Sequence, residues 1–213
     1  MRRLLVVLLL AFTATPAARA MPIDGPDPAA VPAVGEAIAW QRSRALGKPF
    51  AGRLAGGVQL PAEDRDFWTY DWGLRTSPNR PWRRWGTDRL VRTLLDVIGS
   101  YRAAHPRAAR VGIADLSRPR GGPFGKDFGG LGHASHQNGL DADILYPRVD
   151  GLERRARTPE LVDEELAQDL VDRFVAAGAT YVFTGWSLHL RGPRKIVVKL
   201  AHHDDHMHVR IRR

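Results

Sequence analysis

A chain of 213 residues, 44% hydrophobic and 26% charged, is long enough for one domain with a sizeable core and has the composition of a globular protein. The absence of cysteine excludes disulfides and thiolate metal sites, so stability must come from core packing and from any metal held by other donors. The formal net charge of +9 favours an anionic partner such as a wall polymer, a membrane surface or nucleic acid, although a plain preference for Arg over Lys gives the same number.

Residues 1–20 read as a secretory signal. Arg2 and Arg3 precede the apolar run Leu4 to Phe12, and Ala18-Arg19-Ala20 fits a small-x-small cleavage site. The run is too short to span a bilayer, and no later stretch is long and apolar enough, so no stable membrane insertion is expected. Cleavage removes three arginines and no acidic residue, which leaves +6. Residues 21–44 form an expected flexible lead-in, rich in Pro, Ala and Asp at its start. Residues 45–213 are the expected single domain.

Residues 47–86 carry Gly, Pro, Trp and Arg with few periodic runs and read as loop and short strands. Their aromatic set Phe67, Trp68, Tyr70, Trp72, Trp82 and Trp85 fits either a core or a groove wall. A helix over 87–102 follows from Leu90, Leu94, Ile98 and Tyr101 at helical spacing, with Thr87 or Asp88 as its cap. A strand over 110–116 then enters the turn-like Ser117-Arg118-Pro119-Arg120-Gly121. From Gly139 to Leu145 the residues alternate, with Asp141, Asp143 and Leu145 on one face. A second helix is expected over 159–177, and strands over 180–184, 195–200 and 206–211. Helices mixed with mostly adjacent strands predict an α+β single domain, a central, mostly antiparallel sheet flanked by helices.

Six of the eight histidines fall into two clusters, 133–143 and 202–208, and that clustering carries the chemistry. Imidazole and carboxylate are the zinc ligands left when thiolate is absent. In an extended C-terminal strand His206, His208 and Arg210 face one way, while Met207, Val209 and Ile211 face the core. His136 and Asp143 lie seven residues apart, with Gly139 to turn the chain between loop and strand. If the two strands lie side by side, His136, Asp143 and one histidine of the last pair can close around Zn²⁺ in a cleft on the sheet. Solvated strand carboxylates or Ca²⁺ ligands are the other reading of Asp141 and Asp143.

Ser135-His136-Gln137-Asn138-Gly139-Leu140-Asp141-Ala142-Asp143 resembles the first metal motif of the penicillin-insensitive murein endopeptidases. His203-x-x-His206-x-His208-Val209-Arg210 resembles their second. The resemblance runs from about residue 45 to the C-terminus. It implies His136, Asp143 and His208 as zinc ligands, His206 beside the metal-bound water, and His203 facing the site. His133 matches a further histidine of that motif, a weak or second-site ligand. Asp115-x-x-Arg118-Pro119 is similar to a stretch of the D-Ala-D-Ala dipeptidases in which the arginine steadies a substrate carbonyl. The other reading of Arg118 is a surface arginine on a turn. Asp205 is a further possible base, but strand alternation predicts that it points away from His206 and His208.

The activity so implied is zinc-dependent hydrolysis of peptidoglycan peptide cross-links, joining D-alanine to diaminopimelate or two diaminopimelates, by an exported, periplasmic or cell-wall enzyme. Two alternatives remain at this point: a D,D- or L,D-carboxypeptidase acting on stem peptides, and a non-catalytic zinc module that binds cell wall. No nucleic-acid recognition motif is present, and the sequence leaves the oligomeric state open.

Overall fold

The computed structural model describes residues 38–125 and 133–213. The leader, most of the expected lead-in and the glycine-rich approach to His133 lie outside the described residues.

A hairpin comes first, with β1 (Arg44–Lys48) antiparallel to β2 (Ala51–Ala55). Two short strands, β3 (Val58–Gln59) and β5 (Trp85–Gly86), pair with each other. Among the described residues the main sheet has six strands: β4 (Phe67–Thr69), β6 (Val111–Ile113), β7 (Asp141–Leu145), β8 (Ala179–Thr184), β9 (Val197–Lys199) and β10 (His206–Ile211). Their order across the sheet is β4-β6-β7-β10-β8-β9. The central pairings β6–β7, β7–β10 and β10–β8 are antiparallel, and the two outer ones are parallel. The fold is α+β with a mixed sheet whose parallel pairs sit at its edges.

Two helices cover one face of that sheet. α1 (Asp88–Ala104) starts where the Thr87 hydroxyl accepts the Leu90 amide proton at 3.1 Å, and it buries Leu90, Val91, Leu94, Val97, Ile98 and Tyr101. α2 (Glu164–Ala176) is capped in the same way by Asp163 and buries Ala167, Leu170, Val171 and Phe174. These residues join Ile113, Ala142, Ile144, Val182, Met207, Val209 and Ile211 in one core. Burial of each large aliphatic side chain there is worth about 1.5–3 kcal/mol.

The second helix begins later than its apolar spacing suggests. Pro159–Leu161 form a separate 3-10 turn, Val162 is extended, and Asp163 provides the cap for a fresh start. The expected strand over 110–116 is regular only across Val111–Ile113. Beyond it single bonds guide the chain, such as Ala114 N–H to Asp143 O at 2.8 Å and Leu116 N–H to Arg83 O at 2.9 Å. Among the described residues no helix is long and apolar enough to cross a membrane.

The opposite face of the sheet is left for other contents. Trp68, Tyr70, Ala114 and Leu145 form a small second core there, with Trp72 at its margin. Beyond Trp72 the face opens into a cleft of about 890 Å³.

Candidate metal centre

Strand pairing brings the two histidine clusters together. In the β7–β10 ladder His208 lies opposite Asp143 and Arg210 opposite Asp141. Since directly opposed residues project to the same side, His206, His208 and Arg210 share a face with Asp141 and Asp143. Met207 and Val209 enter the core on the other face with no exposed surface. His136 reaches the same point from a loop. Its backbone is left-handed at φ 66°, followed at Gly139 by a second positive φ of 75°. A Cβ at Gly139 would come within 3.0 Å of both Leu54 and the Thr87 amide nitrogen, so this turn needs glycine.

Three atoms converge. His136 Nε2 is 3.2 Å from His208 Nδ1 and 3.3 Å from Asp143 Oδ1, and the last two atoms are 3.2 Å apart. Ligands held tetrahedrally at about 2.0–2.1 Å from one ion lie about 3.3–3.4 Å from each other, so the triangle has the size of a zinc-type coordination face. Asp143 Oδ1 is buried and makes no well-formed hydrogen bond; its polar neighbours are the ring nitrogens of His208 at 3.2 Å, His136 at 3.3 Å and His206 at 3.8 Å. A buried acceptor left this way is costly unless something cationic satisfies it.

The outer partners aim the rings. His136 Nδ1 is 2.6 Å from the Leu116 carbonyl, which accepts a hydrogen bond from Nδ1–H and leaves the Nε2 lone pair facing inward. His208 Nε2 is 2.8 Å from Asp141 Oδ1, which leaves Nδ1 inward by the same logic. Arg210 Nε donates to the same oxygen at 2.6 Å. Such carbonyl and carboxylate partners are the usual means of fixing the tautomer of a metal-binding histidine.

Without an ion, burial would lower His208, but hydrogen bonds to Asp141 and Asp143 raise it to about 9. Burial likewise would raise Asp143, yet the charges of His136 and His206 hold it well below the usual carboxylate range. Asp141 falls to about 2, since its bond and charge interaction with His208 outweigh burial. His136 is lowered by burial.

Three further histidines surround the triangle. His206 Nε2 lies 3.8 Å from Asp143 Oδ1, and its Nδ1 is 2.6 Å from Asp205 Oδ1. Asp205 itself is held by Arg155 Nε at 2.5 Å. The expectation that Asp205 points away from His206 is therefore wrong: β10 begins at His206, so the residue before it escapes the strand's alternation. His203 stacks near His206 with ring centroids 4.7 Å apart, and burial with the His206 charge pushes it down to about 4.

His133 also reaches the triangle. Ligand atoms of His133, His136 and Asp143 all lie within 4.8 Å of one another, an alternative donor set to the one with His208. The His208 set is the tighter one, because His133 Nδ1 stays 3.9 Å from Asp143 Oδ2 while its Nε2 is committed to Asp115 Oδ2 at 2.6 Å. Asp115 is fully buried and is gripped by the equally buried Arg83, through Nε at 2.6 Å and through Nη2.

Arg118 stands apart from this group. It is half-buried on the turn after Asp115, and its Nη1 donates to the Pro123 carbonyl at 2.5 Å. The residues lining the cleft include His133, His136, Asp143, His203, His206 and His208, but not Arg118. Asp115 pairs with His133 and with Arg83, and the sequence motif did not suggest the latter. Trp72, one of the aromatics expected in a core or a groove wall, lies 5.1 Å from the His206 ring, and Arg155, which the sequence did not suggest, sits 5.1 Å over Trp72. The aromatic set is thus divided, with Phe67, Trp68 and Tyr70 buried and Trp72 lining the cleft.

Residues 45–184 match the family described as penicillin-insensitive murein endopeptidase. The chain belongs to that family. Membership makes it a peptidase whose substrate is peptidoglycan. The match takes in His133, His136 and Asp143 and ends before the second histidine cluster, which joins the murein endopeptidase region through the β7–β10 pairing. Among curated proteins no relative matches the chain.

Proposed function

We propose that this murein endopeptidase is a zinc enzyme that hydrolyses peptide cross-links of the D-alanyl-diaminopimelate type. His136, Asp143 and His208 would hold the ion, in a domain spanning residues 45–213 behind an export signal over 1–20, and the enzyme would act in the periplasm or cell wall. The observation that carries the reading is the buried triangle of 3.2–3.3 Å edges formed by His136 Nε2, His208 Nδ1 and Asp143 Oδ1. Two imidazoles and one carboxylate with an open corner suit zinc, whereas Mg²⁺ or Ca²⁺ would ask for oxygen ligands.

Bound zinc would polarise the scissile carbonyl and lower the pKa of a water to about 7. The protein's own groups complete the chemistry. His206, with Nδ1 bonded to Asp205, presents Nε2 towards the site and is placed to accept the proton of the attacking water and pass it to the leaving amine. His203, held neutral at physiological pH by its low pKa, is a second acceptor on the same side. His133 lies on the other flank, and the Asp115–Arg83 pair behind it keeps its Nε2 turned away from the cleft. A protonated His133 can there stabilise negative charge developing on the carbonyl oxygen.

Mass spectrometry of purified peptidoglycan digested by the protein tests this reading. Dimeric muropeptides should fall to monomers, a chelator should stop the reaction, and Zn²⁺ should restore it. Release of free D-alanine with dimers untouched would replace the reading with a carboxypeptidase, and undiminished cleavage in chelator would remove the metal.

A further inference from the structure

Among the described residues, three that are not glycine have a positive φ: Arg75 at 56°, His136 at 66° and His202 at 64°. All three line the cleft. His136 belongs to the metal triangle. Arg75 has no such role, although its backbone is as unusual.

The turn that carries Arg75 is tied from several sides. Asp71, fully buried, accepts the Leu74 amide at 2.9 Å, and its carbonyl accepts the Arg75 amide at 2.7 Å. The Asp71 amide donates to the Thr76 carbonyl at 2.8 Å. Arg80 clamps the Asp71 carboxylate with Nε at 2.5 Å and Nη2 at 2.9 Å. These bonds hold the arginine in a left-handed conformation that glycine would adopt without strain, and so fix the point from which its side chain enters the cleft lining.

Among the described residues, three arginines line the cleft. Arg155 is paired with Asp205, and Arg210 with Asp141. The exposed Arg75 guanidinium has no hydrogen bond or ion pair among the described residues, so it is the uncompensated cation of the cleft wall. The same wall carries Trp72, which touches both His206 and the Arg155 guanidinium and so connects this end of the cleft to the metal centre.

We infer that Arg75 is a specificity-determining residue that binds a substrate carboxylate, the one borne by the residue on the amine side of the scissile bond. This rests on the proposed cleavage of cross-links. In a diaminopimelate cross-link the carbon attached to the amide nitrogen also bears a carboxylate, and a guanidinium recognises that group by paired, charge-assisted hydrogen bonds. The C-terminal carboxylate of an uncleaved stem peptide has the same chemistry and is the competing source.

The test compares two purified dimers, with that diaminopimelate carboxylate free or amidated, and a monomeric stem peptide with its terminal carboxylate. Wild-type enzyme should prefer the free-carboxylate dimer by about tenfold or more in kcat/KM, mainly through KM. Arg75→Gln should abolish the preference by weakening only the free-carboxylate dimer, and Arg75→Lys should keep part of it. Equal losses on both dimers, or a wild type indifferent to amidation, would overturn the inference, and trimming of the monomer in preference to either dimer would move the clamp to the terminal carboxylate and overturn it as stated. If the wild type cleaves no substrate, the proposed activity fails instead. Calorimetric titration of the same protein with the two dimers then decides Arg75: tighter binding of the free carboxylate, lost in Arg75→Gln, supports it, and equal or absent binding refutes it.

Discussion

The candidate centre is assembled from two kinds of support. Asp141, Asp143, His206, His208 and Arg210 stand on adjacent strands, where the ladder register alone decides which side chains meet. His133, His136 and Arg75 stand on loops, and each is held by ties from elsewhere: Asp115 with Arg83 for His133, the Leu116 carbonyl for His136, the Asp71 carboxylate and carbonyl for the Arg75 turn. Strand positions come with the pleat, whereas loop positions require extra buried polar groups. The loop half of the site should therefore be bought with stability in a way that the strand half is not.

Substitutions that separate the two halves test this difference. The largest effect is expected from the strand ligand. His208→Ala should lower cleavage of cross-linked muropeptides by at least about a thousandfold and abolish metal retention, since two ligands do not make a catalytic zinc site. Chromatography of digests and metal analysis of the purified variant check both, and a tenth of wild-type activity would rule out the triangle.

Asp115→Ala probes the loop half. It leaves the fully buried Arg83 without its carboxylate, so the fold should lose about 3–5 kcal/mol in urea unfolding. A loss below about 1 kcal/mol would mean that the pair does not anchor this side of the centre. Asp141→Asn, by contrast, weakens the support of a strand ligand without removing it. Zinc affinity should fall by about tenfold, in the range usual for outer partners of a metal site, with the fold retained. A competition titration with a chromophoric chelator measures it, and an unchanged affinity would leave register as the sole determinant of His208.

The mildest test is pH. In the metal-free protein His208 is raised to about 9, so below that value an incoming ion must displace its proton. Zinc affinity should rise by about tenfold per pH unit between pH 7 and 8 and level off near 9. A flat profile would mean that His208 is already neutral before metal arrives.

The same division explains what the sequence made legible. Alternation of His206, His208 and Arg210 with Met207, Val209 and Ile211 set the faces of β10 correctly, because a pleat has only two sides. The apolar spacing of α1 set both its extent and its buried stripe. Side chains that act across long separations carried no local pattern. Arg83 reads as one of many arginines in a tryptophan-rich stretch, yet it is buried against a carboxylate 32 residues away. Asp205 lies one residue before the strand, where the alternation of a pleat no longer sets direction, and it turns back to His206. The late start of α2 was hidden because Leu161 and Val162 fit the helical stripe, while Asp163 captures the Leu166 amide and begins the helix anew.

The pairing of His208 with Asp143 has a consequence for biogenesis. A slip of β10 by one residue would turn Met207 and Val209 outward and drive both imidazoles among the aliphatic side chains beneath the helices. Such a misfolded chain would lack the converging donors of His136, Asp143 and His208, so an ion bound there would stabilise only the correctly aligned molecule.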